Sequence, residues 1–256
     1  MQGTVTQSTG SWYEVRLEDG QMLSCRLAGK LRLAGLKNTN PVVVGDVVKV
    51  ELETDGAVAV IREIQQRRNY IIRQSPTRRK HKHIIAANVD QVFLVATLAK
   101  PRTKLGFIDR FLMTATAYDI PASIIFNKCD IYSKKQQKQL EVLIADYEKV
   151  GYGGMAVSAE NGQGMEMLEE LLKGKTTLIS GQSGVGKSSV INRINPDLEL
   201  KVNEISEHVG KGQHTTTFAT MFELPFGGFI IDTPGIKEFG ILDMLPEEVA
   251  HHFPEM

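Results

Sequence analysis

The chain has 256 residues, enough for about two domains at roughly 150 residues each. Lys+Arg and Asp+Glu are 30 each, 42% of residues are apolar, and the only cysteines are Cys25 and Cys129. This balance excludes wholesale disorder, a disulfide scaffold and a Cys-rich zinc module. The longest apolar run, Val92–Ala99 with Thr97 inside it, is too short to cross a bilayer.

Residues Met1–Gly20 hold no apolar stretch of signal-peptide type, so a cytoplasmic protein with no membrane partner is expected. The neutral total conceals a segregation of charge. Between Gln65 and Val89 lie seven cations (Arg67, Arg68, Arg73, Arg78, Arg79, Lys80 and Lys82) and no acid. A local basic field of this kind attracts nucleic acid whatever the net charge.

In chain order, Thr4–Gln7 predicts a first strand. Trp12–Glu18 alternates with Tyr13, Val15 and Leu17 on one face, and Asp19-Gly20 turns the chain into a strand over Gln21–Leu27. Asp46–Leu52 alternates again, with Val48, Val50 and Leu52 facing inward. Asp55-Gly56 then turns the chain into Ala57–Ile64. Five short strands within residues 1–66 predict a small Greek-key barrel, the OB-fold. Residues 67–88 read as a basic linker. Pro76 and the charge density argue against a buried element, and the seven cations are expected to bind RNA phosphates.

From residue 89 to 245 strands alternate with helices. Gln91–Thr97 and Ala122–Phe126 are apolar runs of the kind buried on both faces. Gly106–Tyr118 has helical spacing. Ser133 predicts an N-cap, followed by apolar positions Leu140, Leu143, Ile144 and Tyr147. Further strands are expected at Met155–Val157, Thr176–Ile179, Phe218–Leu224 and Gly228–Ile231, with helices at Met165–Leu172 and Lys187–Ile194. This alternation predicts an α/β fold with a mostly parallel sheet.

Gly181-Gln182-Ser183-Gly184-Val185-Gly186-Lys187-Ser188 fits GxxxxGK[ST], with a strand before it and a helix after it. Glycines let the backbone curl so that N–H groups point at phosphates, and the helix N-terminus adds a positive end. Lys187 reaches the β/γ-phosphates, the Ser188 hydroxyl suits Mg²⁺, and Ser189 follows in the first helical turn. Asp232-Thr233-Pro234-Gly235 ends a later strand. Asp232 is expected to hold Mg²⁺ through water, and the Gly235 N–H to meet the γ-phosphate.

Asn127-Lys128-Cys129-Asp130 follows the strand ending at Phe126. A carboxylate at Asp130 accepts from guanine N1–H and its exocyclic amine, whereas adenine offers neither donor in that position. Asn127 either holds the base edge or ties this loop to the phosphate loop, and the Lys128 stem covers the base. After the next strand come Ser158-Ala159-Glu160, where the Ala159 N–H is placed to donate to guanine O6. Gly210–Thr217 is a glycine-bearing segment in which Thr216, with Thr215 next, completes the Mg²⁺ shell. These motifs specify GTP rather than ATP.

In an ordinary GTPase the phosphate loop comes first and the NKxD and SA motifs last. Here Asn127–Asp130 and Ser158–Glu160 precede it. The permuted order, GQSGVGKSS at 181–189, GKGQHTTT at 210–217 and DTPGIKEFG at 232–240, lying behind a five-stranded barrel, resembles the ribosome small-subunit-dependent GTPase A family across essentially the whole chain. The resemblance implies a multidomain protein: an N-terminal OB-fold, a circularly permuted P-loop GTPase domain and a C-terminal zinc module. It also implies slow hydrolysis of GTP stimulated by the small (30S) ribosomal subunit, with that subunit and its rRNA as partners of a monomer late in maturation. The sequence departs from the family at His251-His252-Phe253-Pro254-Glu255-Met256, where zinc ligands would follow. Residues 246–256 therefore read as the start of a truncated C-terminal region, and no zinc is expected.

Ile236 stands where many GTPases carry a glutamine that orients the attacking water. His214, in the 210–217 segment, is the residue expected to take that role, alongside Lys187 on the phosphates. Two other readings are a GTP-regulated RNA-binding module with incidental hydrolysis and a small-molecule kinase. The Asn127–Asp130 motif argues against the kinase.

Overall fold

The computed structural model describes residues 1–29, 31, 41–53, 58–74, 82–198 and 219–232. The described residues divide into two compact units, one of Met1–Val89 with residues 219–222 and 231–232, the other of residues 90–198 and 223–230.

The first unit is a closed barrel of five strands: β1 (Gln2–Ser8), β2 (Tyr13–Leu17), β3 (Met22–Leu27), β4 (Val47–Leu52) and β5 (Ala59–Ile64). β1 pairs antiparallel with both β2 and β4, and a bulge between Val5 and Gln7 lets it bend from one to the other. The parallel pairing of β3 with β5 and the antiparallel pairing of β4 with β5 complete the closure. Alternation drives this architecture. Val5, Tyr13, Val15, Leu17, Val48, Val50 and Ile61 fill the interior, and in β2 the alternate residues Glu14 and Arg16 are only half-buried. Leu52, expected on the inner face, is 52% exposed because it is the last residue of β4, beyond the interior that Val50 lines. Cys25 lies wholly inside; burial, with the Glu14 charge second, pushes its thiol up to about 11, so it stays protonated.

The stretch read as a linker is a β-hairpin. β6 (Tyr70–Gln74) pairs antiparallel with β7 (Lys82–Ala87), and Ile71, Ala86 and Ala87 are fully buried. The cation density hid the apolar flanks, Tyr70-Ile71-Ile72 and Ile84-Ile85-Ala86-Ala87, that form the strands. At Gly45 the barrel backbone comes so close to the Ala87 carbonyl that no side chain would fit, and the φ of +88° there also favours glycine. The Ala87 N–H donates to the Val44 carbonyl at 2.9 Å, and Asn88 Nδ2 donates to the Gly45 carbonyl at 2.9 Å.

Arg67 corrects the expected set of RNA-binding cations. Its Nε and Nη2 donate to the two carboxylate oxygens of Asp46 at 2.6 and 2.7 Å, and Nη2 also donates to the Pro41 carbonyl. Asp46 is fully buried and accepts from the Val43 N–H as well. This guanidinium is therefore engaged inside the unit. Breaking one partner of such a pair strands a buried charge and costs about 3–5 kcal/mol. Arg67→Ala should lower the urea midpoint accordingly; an unchanged midpoint would mean that Asp46 finds other partners. Arg68 likewise donates, from Nη2, to the Asn88 carbonyl. Arg78, Arg79 and Lys80, and the side chains of Arg73 and Lys82, lie outside the described residues.

In the second unit the parallel strands run in the order β10 (Gly153–Ala156), β9 (Ala122–Phe126), β8 (Gln91–Ala96), β11 (Thr176–Gly181). All six residues of β8 are buried, as its apolar run predicts for a central strand. β12 (Thr220–Glu223) is followed by β13 (Phe229–Asp232), which starts beside β11 through the Phe229 N–H to Lys175 carbonyl bond. The helices are α1 (Leu105–Ala117), α2 (Lys134–Lys149), α3 (Met165–Leu172) and α4 (Lys187–Ile194). Ser133 caps α2 in a reciprocal capping box with Gln136. Phe93, Val95, Ile125, Leu168, Ile179 and Ile191 join strands and helices in one core.

No helix among the described residues is long and apolar enough to cross a membrane.

Candidate functional site

Parallel strands put the loops after β8, β9, β10 and β11 at one edge of the sheet, where open α/β sheets bind ligands. The loop after β11 turns through Gly184 (φ +81°) and Gly186 (φ +87°) into α4. A Cβ at Gly181 would stand 2.8 Å from the Val95 carbonyl oxygen, and one at Gly186 would run into Asn127 Nδ2. Glycine is thus required at 181 by close packing and at 186 by both packing and φ. Lys187 and Ser188 are buried in the first turn of α4, and Val185 is wholly inside. Ser183 and Gly184 are exposed, while Gln182 and Ser189 are half-buried.

Asn127 is the junction of the site. Its Nδ2 donates to the Val185 carbonyl at 3.0 Å, and its Oδ1 accepts from the Ala159 N–H at 3.1 Å. One side chain thus joins the loops after β9, β10 and β11. Of the two roles open to Asn127 in the sequence, the geometry favours the tie between loops. The Ala159 N–H, expected toward guanine O6, is turned to Asn127. Lys128 adopts the left-handed conformation (φ +64°), and its Nζ donates to the Gly184 carbonyl at 2.7 Å and to the Lys100 carbonyl at 2.8 Å. Its ammonium therefore pins the phosphate loop from outside.

Asp130 lies on a short 3-10 turn, Cys129–Ile131, with its carboxylate exposed at the edge of the site. Ser158, fully buried, donates to Asp130 Oδ1 at 2.6 Å and accepts from the Asn161 N–H at 3.2 Å. This leaves Oδ2 with no protein donor among the described residues. An ionised acid held by one oxygen suits a ligand edge that donates two N–H groups. Burial raises the Cys129 thiol, with the Asp130 charge second, which keeps it protonated beside the carboxylate.

Tyr132 escapes the sequence reading. Its buried hydroxyl donates to the Asn127 carbonyl at 2.7 Å, lies 3.1 Å from Thr97 Oγ1 and accepts from the Leu98 N–H at 2.9 Å. No spacing signal marks it, because two of its three partners, Leu98 and Thr97, lie 34 and 35 residues upstream. Tyr132→Phe leaves the Leu98 N–H without that acceptor, a loss of about 1–3 kcal/mol. The expected result is a lower melting temperature with GDP binding several-fold weaker. Unchanged GDP affinity would show that Asn127 is held without it.

Asp232 ends β13 and is 6% exposed. A hydroxyl at a helix start (Ser188) and a buried carboxylate at a strand end are each an oxygen donor of the kind that a hard cation such as Mg²⁺ takes. Thr216, Gly235, His214 and Ile236 lie outside the described residues. Among the described residues no group of three or more His, Cys, Asp or Glu side chains gathers as a metal site.

Two family models match the chain: the RsgA GTPase over residues 64–242 and the RsgA N-terminal domain over residues 2–61. The chain belongs to the RsgA GTPase family. It is 52% identical over 257 residues to a small ribosomal subunit biogenesis GTPase RsgA of Christiangramia forsetii, covering 100% of this chain and 82% of that one. It is 50% identical to the protein of the same name in Bacteroides fragilis, again covering 100% and 82%. Among solved structures it resembles YjeQ from Thermotoga maritima (TM-score 0.79, 34% identity, 100% of this chain and 82% of that one). It also resembles YloQ, described as a circularly permuted GTPase (TM-score 0.72, 27% identity, 99% and 77%). The protein is therefore a GTPase of circularly permuted order behind a five-stranded barrel, with GTP as its substrate.

Proposed function

We propose that this GTPase acts in maturation of the small ribosomal subunit, with hydrolysis stimulated by that subunit and its rRNA, and that it works as a cytoplasmic monomer. The names of its relatives support the assignment. The observation that supports the site is the Asn127 junction, which joins the loops after β9, β10 and β11, the three that this reading assigns to a guanine nucleotide, despite their permuted order in the chain.

In this reading the phosphates lie on the N–H groups of residues 182–189, and Lys187 balances the charge that builds on the β/γ-phosphates during transfer. Asp130 accepts from guanine, and Ser158 holds that carboxylate in place. Ser188 and Thr216 would hold Mg²⁺, with Asp232 holding it through a water, and Gly235 would serve the γ-phosphate. When bound, the ion draws charge from the phosphate oxygens. Isoleucine at 236 cannot orient a water, so turnover is slow until His214 does so on the subunit. His214→Ala should keep basal turnover and lose subunit stimulation; retained stimulation would remove histidine from the mechanism. Arg68, Arg73, Arg78, Arg79, Lys80 and Lys82 supply phosphate contacts to rRNA, with Arg67 holding the barrel instead.

The assignment is tested by sedimenting the chain with purified small subunits in the presence of a non-hydrolysable GTP analogue or of GDP. Cosedimentation with the analogue and release with GDP is expected. No binding in either state would overturn the ribosomal assignment while leaving the GTPase in place.

A further inference from the structure

The loop between β8 and α1 carries Lys100, Arg102 and Lys104, all exposed, and no acid occurs anywhere from Gln91 to Ile108. None of the three side chains forms an ion pair with a described residue. The nearest following acid, Asp109, accepts instead from the Tyr147 hydroxyl at 2.7 Å. Lys104 is the N-cap of α1, whose first turn has no acid. Cations there oppose the positive end of the helix, and stability alone would place acids at these positions.

The loop is also rigid. The Thr97 N–H donates to Thr103 Oγ1 at 3.1 Å, the Thr103 N–H donates to the Thr97 carbonyl at 2.8 Å, and both threonines are buried. It touches the phosphate loop twice. Lys128 Nζ bridges the Lys100 and Gly184 carbonyls, and the Pro101 ring stands 3.3 Å from where a Cβ on Gly184 would lie.

We propose that Lys100, Arg102 and Lys104 form a docking surface for an RNA phosphate backbone on the GTPase domain itself, and that its occupancy is felt at the phosphate loop through the Lys100–Lys128–Gly184 bridge. The inference rests on the ribosomal reading above for its choice of RNA. A loop held by the Thr97–Thr103 bonds, with cations that have no ion pair among the described residues, suits a polyanion because each phosphate it neutralises releases condensed counterions at little cost for ordering the loop. The bridge gives the surface a route to the nucleotide, since a shift of the Lys100 carbonyl moves the ammonium that holds Gly184.

The test compares the full chain with a triple variant, Lys100→Gln, Arg102→Gln and Lys104→Gln. No hydrogen bond or ion pair joins these three side chains to a described residue, so the melting temperature should not fall and serves as the folding control. Binding to small-subunit rRNA stripped of protein is titrated against salt. The variant should bind at least tenfold more weakly at moderate salt. Its slope of log K against log salt should be shallower by about 0.7–0.9 for each phosphate that the variant no longer neutralises. RNA should alter GDP release from the wild-type chain but not from the variant at saturating RNA. An unchanged slope overturns the proposal. Weaker binding to intact subunits with unchanged binding to bare rRNA also overturns it, in favour of a protein partner. If the wild-type chain binds bare rRNA but not subunits, the ribosomal reading fails while the slope comparison still decides this one.

Discussion

Asp130→Asn should exchange guanine for xanthine. The carboxylate accepts two N–H groups from guanine, and hydrogen bonds to a charged group are worth about 1.5–3 kcal/mol each. Losing one of them, and the charge behind the other, predicts a fall in GDP affinity of roughly 10–10³-fold. The amide offers a donor in place of one acceptor, which matches the C2 oxygen of xanthine, so XDP should bind the variant more tightly than GDP does. Ser158 still reaches the amide oxygen, and the residue is exposed, so the fold should hold. Competition of GDP and XDP for the variant, with melting as the control, reads the outcome. Equal loss of both nucleotides would mean that Asp130 does not read the base.

Gly186→Ala should disable the pocket by a different route. A left-handed φ of +87° costs an L-residue about 1–2 kcal/mol. The added Cβ also enters the space of Asn127 Nδ2, so the Asn127 bond to Val185 must lengthen or break. A lost buried hydrogen bond adds about 1–3 kcal/mol. Nucleotide affinity should therefore fall by about 10² or more, for GTP and GDP alike, with base preference retained. That retention separates it from Asp130→Asn. A variant that binds GDP normally would show that the loops can part without loss.

The contiguous motifs were legible because their chemistry is local. The glycine spacing at 181–186, the lysine and hydroxyl that follow, and the Asn127–Asp130 tetrapeptide each need only neighbouring residues to be recognised. The barrel was legible for a similar reason, since alternation in Tyr13–Leu17 and Val47–Leu52 reports one buried face directly. What joins these pieces was not. Asn127 meets Val185 across 58 residues, Lys128 meets Gly184 across 56, and Arg67 meets Asp46 across 21. No local pattern announces such partners. Arg67 read as one cation among seven because composition does not distinguish a solvated guanidinium from one facing a buried carboxylate. The hairpin at β6 and β7 was missed for a related reason: charge at its centre outweighed the apolar residues at its ends.

The most direct measurement is hydrolysis of GTP by this chain with and without purified small ribosomal subunits, and with ATP in place of GTP. Slow GTP turnover alone, a large increase with subunits and no comparable use of ATP are the expected results. ATP hydrolysed as readily as GTP would contradict the reading of Asp130, and GTP turnover indifferent to subunits would contradict the ribosomal role.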